Sequence, residues 1–207
     1  GFFILADSVR HLFRGIELSD SLVVDPHKGL FLPYGIGAVI VKDREAVFHS
    51  NRAGADYMQD AYREDLPVNH SDLGPELTKH FRGMRMWLPL QLYGTEPFAA
   101  CLEEKLDLTS YIRLKLADLG FNLGPEPDLS VTYFWMDHGD DSDSFNRYLL
   151  KLIHDDGSAY FSSTLIEGKF VIRSAILSFR TRISSVDRAI ELISRCLYKT
   201  QEHFEKG

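Results

Sequence analysis

The chain has few of the features that mark secreted, membrane or nucleic-acid-binding proteins. Its two cysteines, Cys101 and Cys196, show no metal-like spacing, so we expect a reduced, intracellular protein located in the cytoplasm. No apolar run reaches the ~18 residues of a membrane span. The net charge of −7 leaves no basic excess for binding nucleic acid. With an ordinary 44% of hydrophobic residues, these absences favour a globular protein.

A recognisable pattern of metal ligands is also missing from the sequence. Residues 137–143 are rich in carboxylates, but they lack the alternating acids and the sixth-position glycine of an EF-hand loop. The eight histidines give no His-x-x-x-His pair on a helix. We therefore expect no metal site, and we expect residues 137–143 to form a solvated acidic turn.

The most informative segment present is Ser21-Leu22-Val23-Val24-Asp25-Pro26-His27-Lys28-Gly29-Leu30. An apolar strand ends at Asp25-Pro26, which stops regular structure, and His27 and Lys28 follow. A lysine at the end of a buried strand loses hydration, which disfavours its ammonium form and makes the amine available for a Schiff base with an aldehyde. His27 offers a donor for an anionic cofactor group. The alternative is a polar turn between two strands, with Lys28 solvated.

Three segments, in order along the chain, resemble the pyridoxal-dependent group II amino acid decarboxylases. Asp25-Pro26-His27-Lys28 is similar to the cofactor-lysine segment of that family, although Gly29 stands where Trp is usual. Residues 81–94 resemble its Phe-Arg-x-x-Lys/Arg-x-Trp segment, and residues 169–176 resemble a late strand that carries an Arg. The resemblance implies pyridoxal 5′-phosphate held by Lys28 and decarboxylation of an L-amino acid, an aromatic one being favoured.

The resemblance also implies roles for two other residues outside the family's mobile loop. His27 would contact the phosphate of the cofactor, and its alternative is a surface histidine of a turn. Arg173 would bind the substrate carboxylate, because a planar guanidinium suits that group. Its alternative is a structural ion pair with one of the many acids of the chain.

The mobile loop of the family, whose Tyr assists protonation of the product, should fall at residues 49–76. Tyr62 resembles the local Tyr-Arg of aromatic decarboxylases, but Tyr57 and His70 compete for the role. A Phe at that position is associated with an aldehyde product in the family. An aldehyde-forming oxidative deaminase of the same fold therefore stays open as an alternative function.

The fold that the resemblance implies is α/β and of fold-type I (aspartate aminotransferase-like). Residues 1–94 would be the C-terminal part of the large cofactor-binding domain, and residues 95–207 a small α+β domain. Such enzymes are homodimers, so we expect a homodimer here. The Asp that contacts the pyridinium nitrogen would precede Gly1, so we expect a C-terminal portion that acts with a missing N-terminal segment. A non-catalytic fragment is the alternative.

Local patterns predict the secondary structure around these segments. Strands are predicted at residues 21–24 and 37–41, and a helix is predicted from Pro75 that Pro89 should kink or interrupt. Ser184 or Ser185 is the predicted N-cap of the last helix, and Gly120 a C-cap. The second half is predicted to contain helices at 96–119, 144–154 and 185–204 and strands at 129–136, 160–165 and 170–178.

Overall fold

The computed structural model describes residues 1–51 and 70–206. The chain divides into two compact units, the first formed by Gly1–Phe2 and Phe13–Gly94, the second by Phe3–Leu12 and Thr95–Gly207. Within the described ranges, no helix combines the length and the apolar character needed to cross a membrane. The assignment of residues 1–94 and 95–207 to two domains of a larger enzyme stays a prediction.

The first unit contains a short antiparallel hairpin around the candidate lysine. Strand β1 (Ser21–Val24) pairs with strand β2 (Ala38–Val41), which confirms both predicted strands. Between them, Pro26–Gly29 forms one helical turn, α1. The strand therefore ends at Asp25-Pro26 as predicted, whereas the helical turn that follows was not predicted. Proline fits the first helical position because its missing N–H would have no partner there in any case.

The first unit continues with elements on both sides of the undescribed segment. The helix predicted from Pro75 begins only at Arg82, whose guanidinium donates two hydrogen bonds to Glu76 at 2.6 and 3.1 Å. The helix also continues through Pro89, where it lacks one backbone N–H donor, so the predicted interruption is wrong. The elements are α2 (Arg44–Asn51), a 3₁₀ turn (His70–Leu73) and α3 (Arg82–Tyr93).

The second unit is a four-stranded antiparallel sheet with three long helices. The strand order is β3-β4-β6-β5. The predicted helices and strands are confirmed to within a few residues, whereas β3 was not predicted because two residues carry no periodic pattern. The elements are α4 (Glu96–Asp118), β3 (Asn122–Leu123), β4 (Val131–Trp135), α5 (Ser142–Asp156), β5 (Ser162–Ile166), β6 (Lys169–Ala175) and α6 (Ile183–Glu205).

The core of the second unit lies between one face of the sheet and the apolar faces of the helices. Phe134 on β4 is fully buried, and Phe121 and Phe161 pack edge-on to it with ring centroids 5.1 and 6.0 Å away. Leu114, an apolar residue of α4, is exposed. Lys105 occupies a fully buried position on α4.

The buried Lys105 is compatible with this core because its ammonium is paired. Nζ donates to Glu104 Oε2 at 2.9 Å and to the carbonyl of Thr181 at 2.7 Å. Glu104 also forms an ion pair with Arg182, the residue that precedes α6. These contacts join the segment at the start of α6 to α4.

The helix ends of the second unit test two capping predictions. Gly120 has φ 86°, and its N–H donates to the carbonyl of Ala117 at 2.9 Å, which confirms the predicted glycine at the end of α4. The prediction of Ser184 or Ser185 as N-cap of α6 is wrong. Arg182 is the N-cap, and its backbone N–H donates to Ser185 Oγ at 3.3 Å. Ser185 thus accepts this hydrogen bond from within the first turn of α6.

Candidate functional site

Lys28 lies on α1 and forms an ion pair with Asp25, three residues before it. Nζ donates to Asp25 Oδ2 at 2.6 Å, and the lysine side chain is 60% exposed. This hydrogen bond from Lys28 is the main cause that holds the pKa of the Asp25 carboxyl below its ordinary value. The expectation that Lys28 loses its hydration is therefore wrong for the described chain, since the amine is accessible and carries a charged partner.

His27 is held in a defined orientation by the loop that follows α1. Its Nδ1 lies 2.7 Å from the carbonyl oxygen of Ile36. Because a carbonyl oxygen can only accept, Nδ1 carries the proton, and Nε2 is left for another group. The ring also stacks on Tyr34, with centroids 5.1 Å apart and planes 25° apart. His27 is thus half-buried and held in one orientation, and its role toward the phosphate of the cofactor stays a prediction.

The backbone just after α1 adopts an uncommon conformation. Phe31 has φ 58°, in the left-handed region, where a bulky side chain is an outlier. The turn is closed by hydrogen bonds from the Phe31 N–H to the Lys28 carbonyl at 3.1 Å and from the Leu32 N–H to the Pro26 carbonyl at 3.2 Å. Strain of this kind concentrates at binding and catalytic sites, so it supports a functional role for this turn.

Gly29 is buried against Phe2 in the same unit. A Cβ atom at position 29 would lie 2.9 Å from the Cβ of Phe2, closer than side chains normally approach. Phe2 therefore occupies the space that a larger residue after Lys28 would enter. This contact gives a physical reason for glycine at a position where the resembling segments usually carry Trp.

Arg173 lies in the second unit on β6, opposite Tyr133 of β4 and Ser162 of β5. It is half-buried, and its Nη1 donates to Ser162 Oγ at 3.2 Å. Among the residues that the structure describes, no carboxylate forms an ion pair with it, so the ion-pair alternative is not observed there. Its remaining donors suit a carboxylate ligand, and its role as a substrate-binding residue stays a prediction.

The predicted proton donor cannot be placed among these groups. Tyr57 and Tyr62 lie outside the described residues, and His70 opens the 3₁₀ turn His70–Leu73 directly after them. The assignment of Tyr62, with Tyr57 and His70 as alternatives, stays a prediction.

The turn α1 fits a cofactor that carries an aldehyde and a phosphate. The Lys28 amine can be reached from solvent, as attack on an aldehyde carbon requires. In the imidazolium form, in which both ring nitrogens carry a proton, Nε2 of the neighbouring His27 can donate to an anionic oxygen. Sequence reasoning found both residues but missed Asp25, although its i,i+3 spacing to Lys28 was visible. That spacing has meaning only on a helical turn, and no helix was predicted there.

The chain is similar to known proteins over the segment that contains α1. The chain matches the model of the pyridoxal-dependent decarboxylase conserved domain over residues 1–137, which include α1 and the β1–β2 hairpin. The aromatic-L-amino-acid decarboxylase of Bacillus atrophaeus is 26% identical over 185 residues, covering 86% of this chain and 38% of the relative. The phenylacetaldehyde synthase of Arabidopsis thaliana is 24% identical over 199 residues, covering 93% and 41%.

A solved structure shows the fold. The crystal structure of Oryza sativa TDC with PLP and tryptamine superposes with a TM-score of 0.87 at 20% identity, covering 96% of this chain and 42% of that chain. The predicted fold-type I architecture is confirmed. The chain spans about two fifths of the length of the relatives that it matches.

Proposed function

The chain belongs to the pyridoxal-dependent decarboxylase family, and on that premise we propose that Lys28 binds pyridoxal 5′-phosphate as a Schiff base in an enzyme that decarboxylates an aromatic L-amino acid. One observation carries the proposal. The matched domain contains a strained turn that presents the amine of Lys28 to solvent, next to a His27 ring whose Nε2 is not used by the Ile36 contact.

Each residue of the proposed site has a distinct task. Lys28 supplies the nucleophilic nitrogen, and His27 Nε2 contacts the phosphate. The bound pyridoxal ring supplies an electron sink for the pair of electrons that remains when carbon dioxide leaves. Arg173 binds the substrate carboxylate through paired N–H donors, and Tyr62 returns a proton to the product.

The aromatic substrate and the assembly are proposed for the whole enzyme. The relatives named for aromatic-L-amino-acid and tyrosine decarboxylases support the substrate class. A homodimer in the cytoplasm, completed by a further segment of the same enzyme that carries the acid for the pyridinium nitrogen, follows from the family resemblance. Sedimentation analysis of the protein tests the dimer, and a monomer at all concentrations would contradict it.

Cofactor attachment is the first test. Pyridoxal phosphate added to the protein should give an absorption band at roughly 420 nm, the signature of the C=N bond, and borohydride should remove the band. Mass spectrometry should then find the reduced adduct on Lys28. Lys28→Ala should abolish both signals. Lys42→Ala is the matched control, because Lys42 lies in the same unit and its Nζ contacts a backbone carbonyl, that of Glu17, at 3.0 Å. An adduct that persists in Lys28→Ala contradicts the assignment.

An aldehyde synthase is the second candidate, and the Arabidopsis thaliana relative named phenylacetaldehyde synthase favours it. Of the residues expected to decide between the two outcomes, Tyr57 and Tyr62 lie outside the described residues, and His70 directly follows that segment. Product analysis with L-phenylalanine and L-tyrosine separates them. An amine without oxygen uptake supports the decarboxylase, whereas an aldehyde formed with oxygen uptake supports the synthase. If neither product nor a cofactor band forms, the chain is a non-catalytic fragment.

A further inference from the structure

Asp25 occupies the N-cap position of α1 without capping the turn. An aspartate at this position usually accepts a hydrogen bond from a backbone N–H of the first turn. Here the Asp25 side chain makes no such bond. The N–H groups of Lys28 and Gly29 donate to the backbone carbonyl of Asp25 instead, at 2.9 and 3.3 Å. Within the described part of the chain, the Asp25 carboxylate instead accepts a hydrogen bond from the Nζ of Lys28 at 2.6 Å.

The charges around this pair favour the ionised form of the Asp25 carboxyl. The Lys28 hydrogen bond, with smaller contributions from His27, lowers the pKa of the Asp25 carboxyl. A carboxylate with a lowered pKa is a weaker base, so Asp25 does not keep a proton that it takes from the ammonium. The described geometry is thus an ion pair between the Lys28 side chain and the Asp25 carboxylate.

An ammonium nitrogen has no lone pair and cannot attack an aldehyde. To condense, it must give up one proton, form a bond to the aldehyde carbon and release the aldehyde oxygen as water. One ammonium and one aldehyde give one protonated C=N group and one water, so the positive charge stays on nitrogen. Because the Lys28 side chain is exposed, solvent can take up that first proton and return one to the departing oxygen.

We propose that Asp25 is a positioning residue that holds the Lys28 amine as a paired ammonium and limits how fast it reacts. This inference rests on the proposed role of Lys28 as the Schiff-base lysine. It assigns to Asp25 a task that is distinct from helix capping and from direct contact with the cofactor.

The first test measures the reactivity of Lys28 without any cofactor. An acylating reagent labels lysines in proportion to their free amine, and mass spectrometry gives the rate at each lysine. Asp25→Asn keeps the size of the side chain and removes its charge, so Lys28 should label about two- to fivefold faster, the range that an exposed ion pair permits. Asp25→Glu should restore slow labelling.

A second ion pair provides the matched control. Lys151 donates to Asp155 at 2.5 Å in α5, and both side chains are more than half exposed. Asp155→Asn should speed the labelling of Lys151 and leave Lys28 unchanged. Unchanged or slower labelling of Lys28 in Asp25→Asn, at an unaltered melting temperature, would overturn the inference.

Reductive trapping then separates this inference from the proposed function. With pyridoxal phosphate and borohydride, Asp25→Asn should form the Lys28 adduct faster than the unmodified protein. If acylation responds to Asp25→Asn but the adduct never forms on Lys28 in either protein, the pairing by Asp25 is supported and the proposed function is wrong. If the adduct forms at equal rates in both proteins, the control by Asp25 is wrong and the function stands.

Discussion

One added methyl group at Gly29 tests the packing of the turn that carries Lys28. The Cβ of Gly29→Ala would lie 2.9, 3.4 and 3.6 Å from the Cβ, Cδ2 and Cγ of Phe2, whereas apolar carbons pack best at about 3.5–4.0 Å. Overpacking of this kind costs about 1–3 kcal/mol. Replacing glycine by alanine in a helical turn contributes about 0.5–1 kcal/mol in the opposite direction. Taken at their midpoints, the two contributions leave a net loss of about 1 kcal/mol in the free energy of unfolding.

The assay is urea unfolding of Gly29→Ala beside Gly37→Ala. Gly37 lies in the same unit, and a Cβ there would meet no atom within 4 Å, so its substitution should change the free energy of unfolding by less than about 0.5 kcal/mol. Phe2→Gly removes the opposing Cβ. It should therefore lower the free energy of unfolding less in the Gly29→Ala protein than in the original protein, with a coupling energy of about 1 kcal/mol. Equal stabilities of the two alanine variants, or zero coupling to Phe2, would refute the packing argument.

Two further predictions concern the second unit. Lys105→Met keeps the buried methylene chain but leaves the Thr181 carbonyl without its donor. It should therefore lower the free energy of unfolding by about 1–3 kcal/mol, measured by thermal unfolding. An unchanged melting temperature would show that burial of the ammonium costs as much as its bonds contribute. Hydrogen bonds from Ser8 lower the pKa of Glu103 below its ordinary value of 4.5. Their stabilisation is therefore complete above that value and is lost as the pH falls through the lowered pKa. The protection of the Ser8 amide, its exchange rate relative to an unstructured amide at the same pH, should therefore fall in acid, and Glu103→Gln should remove this pH dependence.

The long elements of the second unit were predictable because each carries many periodic residues. Helix α6 and strand β6 appear within a few residues of their predicted bounds. The side of a helix that faces the core was harder to predict. On α4, Leu114 is exposed and Lys105 is buried. A lysine whose ammonium is paired can occupy a core position that a pattern of apolar residues would assign to leucine.

The candidate site was predictable only in part, and its missing features are of two kinds. Lys28 and His27 were identified from a four-residue segment. The helical turn α1 was missed because four residues are too few to show a helical period. The contact of Gly29 with Phe2 joins positions far apart in sequence, so only the folded chain reveals it.

The sequence and the structure describe the amine of Lys28 in opposite physical terms. Burial would disfavour the ammonium, whereas the observed exposure and the Asp25 carboxylate favour it. The two descriptions are compatible with the same chemistry, since an exposed ion pair is a weak interaction from which the amine can be released. The pairing therefore slows condensation with an aldehyde without preventing it. The accessible, paired lysine is therefore a sufficient starting state for the proposed reaction, and release from Asp25 is the step that substitution at position 25 should accelerate.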